Sequence, residues 1–431
     1  MSDKYEEICG MIEFPLSHQQ RFILMAEKYV KERTGDMNTP FAIRIHDRID
    51  TKIFEDAVNS AVERYDTLRI VLEKKGDEDI QKVLKEYHYT LDLKIAEGET
   101  KEERFRNAYK DAFETVCKCL SVYGEVLWRI YLYKIDEDDF LMVVNFHHVI
   151  VDGSAGEIIN NYLRIAYESL AEGKEIPDDN SAGFIEFVLD EISFTETERG
   201  KKQLEYWKKE LEGYEHIDLS PYGSDESVNM TALPFTIDKN KMEKIAEREK
   251  VSHFALTMMA YHIALSKLTG RLDTEIGFSC ANRMKKKYFG TMGYLSRAVQ
   301  NRLSFSENAA LTDLIKSTFN KISENIASQQ TSHYNDSSQF YLSYASDMGN
   351  VKKLEFNHKP CELIKINIPH TLSFLTIIAY DEKDVVRLIF AGDTKVFSVD
   401  FVTRLAGYIN AVTEQFYEDP QLKYSDIKIE E

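Results

Sequence analysis

Two rhythms of apolar and polar positions interleave along the chain, one repeating about every 3.6 residues and one every two. Residues 17–31 have helical spacing after a serine cap, with Phe22, Ile23, Met25, Ala26 and Val30 on one stripe. Residues 41–45 alternate as a strand does. Helical spacing returns over 51–65 through Phe54, Ala57, Ala61 and Val62, and a short strand is expected at 68–72. A helix over 101–120 precedes strands at 127–133 and 140–146, and another helix covers 155–170. Beyond these, 205–211 and 252–268 read as helices, the second strongly amphipathic. Strands are expected at 233–237, 274–280, 298–305, 339–344, 374–380 and 385–391, before a closing helix near 398–416. This mixture predicts an α/β or α+β architecture, with no internal repeat.

Length turns that pattern into two bodies. At 431 residues the chain suits two lobes of about 200 residues each. Between Glu172 and Gly183, Gly, Pro, Asp-Asp-Asn and Ser come in close succession, the composition of a connection. The expected division is therefore a lobe over 1–175, a linker over 176–183 and a second lobe over 184–431. Hydrophobic residues at 43% and charged residues at 29% suit a folded, soluble chain. No run approaches the ~18 apolar residues that span a bilayer, so no membrane role is expected.

The start, Met1-Ser2-Asp3-Lys4-Tyr5-Glu6-Glu7, is acidic where a secretory signal would be basic and then greasy. Five cysteines make no disulfide framework, and Cys117 and Cys119 lack partners at zinc-site spacing. A cytoplasmic location follows as the expectation. The net charge of −19 argues against nucleic acid as a partner, because phosphate binding needs a basic surface.

One cluster carries candidate chemistry. His147-His148-Val149-Ile150-Val151-Asp152-Gly153 places adjacent histidines at the end of an apolar strand, with Asp-Gly four residues beyond the second. The spaced pattern arises by chance in about one chain per thousand of this length. A metal site would need both imidazoles on one ion, yet successive strand side chains point to opposite faces, and no second ligand cluster stands out. Two satisfied core histidines are the structural alternative. Acid–base chemistry is the third: a neutral imidazole can accept or orient a proton from an attacking amine or hydroxyl. One histidine would then face the reaction and the other would pack behind it. Asp152 would hold the turn and need a partner, preferably an arginine, and Gly153 would permit backbone geometry that a side chain forbids.

These residues resemble the active-site motif of the condensation domains of nonribosomal peptide synthetases, in the chloramphenicol acetyltransferase-like superfamily. Leu16-Ser17-His18-Gln19-Gln20-Arg21-Phe22 resembles the family's opening Ser-x-x-Gln-x-Arg signature, and Arg64-Tyr65-Asp66-Thr67-Leu68-Arg69 its Arg-His-Glu-x-Leu-Arg segment. Tyr206-Trp207-Lys208-Lys209-Glu210-Leu211 is similar to the helix after the linker. Leu268-Thr269-Gly270-Arg271-Leu272-Asp273, Ile276-Gly277 and Ala281-Asn282-Arg283 resemble a further landmark. Met292-Gly293-Tyr294 with Arg302 resembles the later Gly-x-Phe-Val-Asn-x-x-x-x-Arg strand. The resemblance spans about residues 11 to 428.

It implies a V-shaped pseudo-dimer of two acetyltransferase-like lobes with a central tunnel, reached by two carrier proteins that each present a phosphopantetheine thioester. By the match His148 is catalytic, as base or positioning residue, His147 supports the fold, and Asp152 pairs with Arg69. The implied reaction is attack of a small-molecule or carrier-bound amine, or a hydroxyl, on the thioester, giving an amide or an ester. No metal and no bound cofactor is implied. With no room for adenylation or carrier domains, a freestanding monomer is expected.

Two rivals remain: an acyl-CoA-dependent O- or N-acyltransferase of the same fold, and a non-catalytic carrier-protein docking module. Departures from the pattern are Tyr65 and Asp66 for His and Glu, Ser154-Ala155 after Gly153, and Tyr294-Leu295-Ser296 for Phe-Val-Asn. Both histidines are kept, which excludes the heterocyclising subtype. The additional Glu-rich signature of an epimerase is not found. Arg283-Met284-Lys285-Lys286-Lys287-Tyr288 is the densest basic run in an acidic protein. Arg283, Lys285, Lys286 and Lys287 are candidates to meet a pantetheine phosphate or an acidic carrier, or else a solvated loop. His18, His253, His262 and His370 carry no motif and are assigned no chemistry.

Overall fold

The computed structural model describes residues 7–8, 11–29, 37–224, 229–331, 338–345, 354–366 and 375–429. Val30, Lys31, His370 and Phe374 lie outside them. The chain forms two compact units. One comprises Met1–Ser193, Asn282–Ser296 and Lys352–His370, the other Phe194–Ala281, Arg297–Val351 and Thr371–Glu431. This differs from the simple division at 176–183.

The first unit is built on a six-stranded sheet in the order Glu355–Phe356, Lys359–Ile364, Asn38–Ile45, Asp139–His147, Trp128–Asp136 and Asp92–Ile95. All neighbours are antiparallel except the last pair. Every residue of Asp139–His147 is buried, and within it apolar side chains run unbroken from Phe140 to Val144. Asn38 stands opposite His147, and Trp128 opposite Phe146. The helix Lys101–Val116 covers this sheet with Ala108, Ala112 and Val116. Thr51–Arg64, opened by Asp50 accepting from the Lys52 and Ile53 amides, packs with Ala155–Ala171. A second, four-stranded sheet holds Glu7–Ile8, Met11–Pro15, Glu78–Val83 and Ile70–Lys75.

Two features of this unit explain the altered boundaries. Lys359–Ile364 pairs with Asn38–Ile45, so the free edge of an early strand is satisfied by a segment more than 300 residues later. Phe356 anchors that segment, with ring centres 6.2 Å from Phe54 and 5.1 Å from Tyr167, while Asn357 and Lys359 both bond Asp47 at 2.6 Å. The helix Phe184–Glu196 is absent from the expected elements, because no capping side chain precedes it locally. Its cap comes from Asp66, whose carboxylate accepts from Phe184 N at 2.9 Å and Ile185 N at 2.8 Å. Burial pushes the Asp66 carboxyl upward, against those backbone hydrogen bonds and one from Thr67. A Cβ at Gly183 would lie 2.7 Å from Asp66 Oδ2, so glycine is required by this close approach.

The second unit carries a six-stranded sheet in the order Arg297–Ser304, Asp273–Cys280, Phe340–Ala345, Leu375–Asp381, Val385–Asp393 and Asn229–Asp238. Its helices are Glu198–Glu210, Lys239–Glu249, His253–Thr269, Leu311–Ala327 and Val399–Glu418. Lys239–Glu249 and Leu311–Ala327 add to the expected set. His253–Thr269 corrects the expectation of an amphipathic helix: every residue from Ala255 to Ser266 is buried. A helix enclosed on all sides shows no polar face. Among the described residues, no helix is long and apolar enough to cross a membrane.

His262 sits inside that helix, fully buried, with Nδ1 2.8 Å from Thr274 Oγ1 and Nε2 2.9 Å from Asn301 Oδ1. Burial depresses its pKa from 6.5 to about 4. The unfolded chain therefore takes up this proton at higher pH than the native protein does. The stabilisation is complete above pH 6.5 and is lost as pH falls towards 4, by about 3 kcal/mol in all. Urea unfolding measured across that interval should show the loss in wild type and a flatter dependence in His262→Gln. Equal slopes in the two proteins would mean that this ring titrates normally.

Candidate active site

The central strand ends at the histidine pair. His147 N donates to Leu127 O at 2.9 Å, and His148 N to Met37 O at 2.6 Å. The chain then turns, with Ile150 N on His147 O at 3.1 Å, and enters the helix Ala155–Ala171 through Ala155 N on Asp152 O at 3.0 Å. The strand thus delivers the histidines, and the helix anchors the far end of the turn.

The two imidazoles are held in opposite tautomers. His147 is buried; its Nδ1 accepts from Val149 N at 3.2 Å and its Nε2 lies 3.5 Å from Glu27 Oε1, so the proton is on Nε2. His148 is half-buried, with Nδ1 2.9 Å from Val151 O. A carbonyl only accepts, so Nδ1 carries the proton, and in the neutral ring Nε2 carries the lone pair. The pair therefore does not turn two lone pairs towards one ion. Among the described residues, no group of three or more His, Cys, Asp or Glu is placed to hold a metal.

Asp152 is 2% exposed and braces the turn. Its Oδ2 receives Arg283 Nη1 at 2.8 Å, Ser296 N at 2.9 Å and Leu295 N at 3.1 Å. Its Oδ1 receives Ser154 N at 3.0 Å and Arg283 Nη2 at 3.2 Å. The partner expected for this carboxylate was Arg69, and that expectation is corrected. Arg69 turns instead to the carbonyls of Val62, Leu84 and Lys85, at 3.0, 2.8 and 3.3 Å. It ties the last turn of the helix Thr51–Arg64, through Val62, to the chain just after the strand Glu78–Val83.

Arg283 is corrected as well: it lies beneath the turn rather than in a solvent-facing basic loop. Two of its neighbours are also engaged, Lys285 with Asp190 at 2.5 Å and Lys287 with Glu186 and Asp190. Lys286 is exposed in the short turn Lys286–Tyr288. Surface pairing cancels much of the positive charge that the run displays in sequence.

Gly153 departs from expectation too. Its backbone is not in the left-handed region, and a Cβ there would meet nothing within 4 Å. No strain demands glycine; the position borders open space. Gly153→Ala should therefore match wild type in stability or exceed it by about 0.4–1 kcal/mol in urea unfolding. A loss of stability instead would mean that the backbone does need glycine.

Tyr294, in sequence only a departure from a pattern, is a neighbour of the histidine in space. Its ring centre lies 4.8 Å from that of the His148 imidazole, inclined by 43°. The signal for Arg283 is its place in the Ala281-Asn282-Arg283 landmark, which the lysines after it obscure.

Comparison with known proteins bears on the whole chain. The family described as Condensation domain matches residues 12–431. Gramicidin S synthase 2 of Brevibacillus brevis is 22% identical over 452 residues, which cover 98% of this chain and 10% of that protein. Bacitracin synthase 3 of Bacillus licheniformis is 22% identical over 418 residues, 91% of this chain and 6% of that protein. The chain thus spans only a small part of these curated relatives. Among solved structures, the X-domain from teicoplanin biosynthesis has a TM-score of 0.81 at 16% identity, with 96% of this chain and 97% of that one aligned. The first condensation domain of the calcium-dependent antibiotic synthetase scores 0.75 at 14% identity, with 97% and 99% aligned. At these identities the structures establish a shared fold, and the family match over nearly the whole length establishes kinship: the chain belongs to the condensation domain family.

Proposed function

We propose that this chain catalyses condensation: an amine or hydroxyl acceptor attacks an acyl thioester, forming an amide or ester and releasing a thiol. The observation that carries this reading is the His148 tautomer. With Nδ1–H on the Val151 carbonyl, the Nε2 lone pair is the one that can take or orient the acceptor proton. Asp152 and Arg283 are the structural support of that turn, and His147 packs behind it. The donor is proposed to be borne on the phosphopantetheine of a carrier protein, as the kinship with peptide synthases suggests. No resident cofactor is needed for this chemistry.

Two of the solved structures keep rivals in view. The starter condensation domain of rhizomide synthetase was solved in complex with C8-CoA, and its TM-score to this chain is 0.77. That supports a CoA thioester as the alternative donor. The teicoplanin X-domain was solved in complex with OxyB, at a TM-score of 0.82, which supports a module that docks a partner without chemistry.

The test is thiol release from matched carrier-bound and CoA-bound acyl groups, each with a panel of amines and alcohols. Acceptor-dependent release from the carrier-bound donor is the expected result. Equal or faster use of the CoA donor would transfer the protein to the CoA-dependent acyltransferases. Silence across the panel with carrier binding intact would leave docking as its role.

A further inference from the structure

Residues 291–296 form neither helix nor strand, yet they are tied down at many points. Thr291 Oγ1 donates to Ala182 O at 2.7 Å, and Thr67 Oγ1 to Met292 O at 2.6 Å. Arg283 Nη2 donates to Thr291 O at 3.1 Å, and Asp152 N to Gly293 O at 3.2 Å. Leu295 N and Ser296 N both reach Asp152 Oδ2, and Asn282 Nδ2 donates to Leu295 O at 3.0 Å. At Gly293 a Cβ would stand 2.2 Å from the Phe184 ring, so the segment is also pressed flat against its support. The aromatic side chain carried by this bound strip is Tyr294, 7% exposed, with its ring against His148.

The second side-chain torsion of a histidine is soft, broad and roughly two-fold. Rotation about it would exchange Nδ1 with a ring carbon at the Val151 carbonyl and scramble which nitrogen carries the proton. A rigid aromatic ring with its centre 4.8 Å away removes much of that freedom. We propose that Tyr294 is a positioning residue: its ring closes one side of the His148 imidazole and keeps Nδ1 on the Val151 carbonyl. The inference rests on the reading that His148 carries the chemistry. It also gives Asp152 a second consequence, because the carboxylate that braces the histidine turn holds Tyr294 in place through two neighbouring amides.

The experiment uses the full chain labelled with ¹⁵N-histidine, with the His148 ring nitrogens assigned by difference against His148→Ala. Wild type and Tyr294→Phe should show one narrow pair of signals with Nδ1 protonated, and Tyr294→Leu should show averaged shifts from mixed tautomers. In the donor assay Tyr294→Leu should lower kcat about 10- to 100-fold, with KM within about twofold, while Tyr294→Phe keeps wild-type turnover. Should Tyr294→Leu not fold, Tyr294→Met is flexible, apolar and close in size, and the same shifts are expected of it. Wild-type ring-nitrogen shifts in the non-aromatic variant would overturn the proposal. So would an equal loss in Tyr294→Phe, which would assign the effect to the hydroxyl. The nitrogen signals need no turnover, so silence of wild type in the donor assay counts against the acyl-transfer reading alone.

Discussion

His148→Ala should reduce acyl transfer about 100- to 10,000-fold while leaving the free energy of unfolding in urea within about 1 kcal/mol of wild type. The two halves of that expectation have separate physical origins. The side chain is half-buried and its Nδ1 hydrogen bond runs to a carbonyl in the turn, so losing that bond costs about what an ordinary one does. The proton that it takes or orients has no substitute acceptor in the pair: on the proposed reading His147 cannot serve, because both its nitrogens are directed at Val149 and Glu27. Single-turnover thiol release beside equilibrium unfolding reads the two quantities independently. Undiminished release would remove His148 from the chemistry and leave the tautomer as a structural detail. A large fall in stability would mean instead that the histidine is a core residue.

Arg283→Ala should be the more damaging change to the fold, costing about 3–5 kcal/mol. The guanidinium side chain is 9% exposed and the carboxylate 1%, and they meet in a two-pronged fork at 2.8 and 3.2 Å. Removing the cation strands a buried negative charge that retains only backbone amides from Ser154, Leu295 and Ser296. Asp152→Ala should cost a similar amount, for it takes the carboxylate from those amides and from a cation that keeps a hydrogen bond to the Thr291 carbonyl. Arg283→Ala combined with Asp152→Ala should cost less than the sum of the single changes, because neither charge is then left alone. Arg69→Ala is the informative comparison: it loses hydrogen bonds to three carbonyls but should show no coupling to Asp152. Additive losses for Arg283 and Asp152 in denaturant unfolding would sink the pairing as the brace of the turn.

Legibility in the sequence followed the range of the interactions involved. The strand Asp139–His147 and the helices Thr51–Arg64, Ala155–Ala171 and Val399–Glu418 were visible because each carries its own periodicity or apolar run. The helix Lys239–Glu249 was not, since its charged residues mask a stripe in which only Met242 and Ile245 are buried. Phe184–Glu196 was hidden for a different reason: its capping carboxylate, Asp66, lies 118 residues upstream of Phe184.

The candidate site divides along the same line. By itself the sequence determined which segment is the candidate for chemistry, His147-His148 through Asp152-Gly153, because strand, turn and helix start are contiguous and the motif is compact. It also determined that Asp152 needed an arginine, since a buried carboxylate requires a cation or many donors. Which arginine answers was decided by the tertiary structure alone. Arg69 and Arg283 both lie in motif-like segments, and only the folded path of 282–296 into the first unit shows that Arg283 arrives and Arg69 does not. The same path sets Tyr294 against His148 across 146 residues of sequence. Local pattern encodes hydrogen bonds and stripes within a few residues, whereas a buried pair between distant segments leaves no trace in either until the chain has folded.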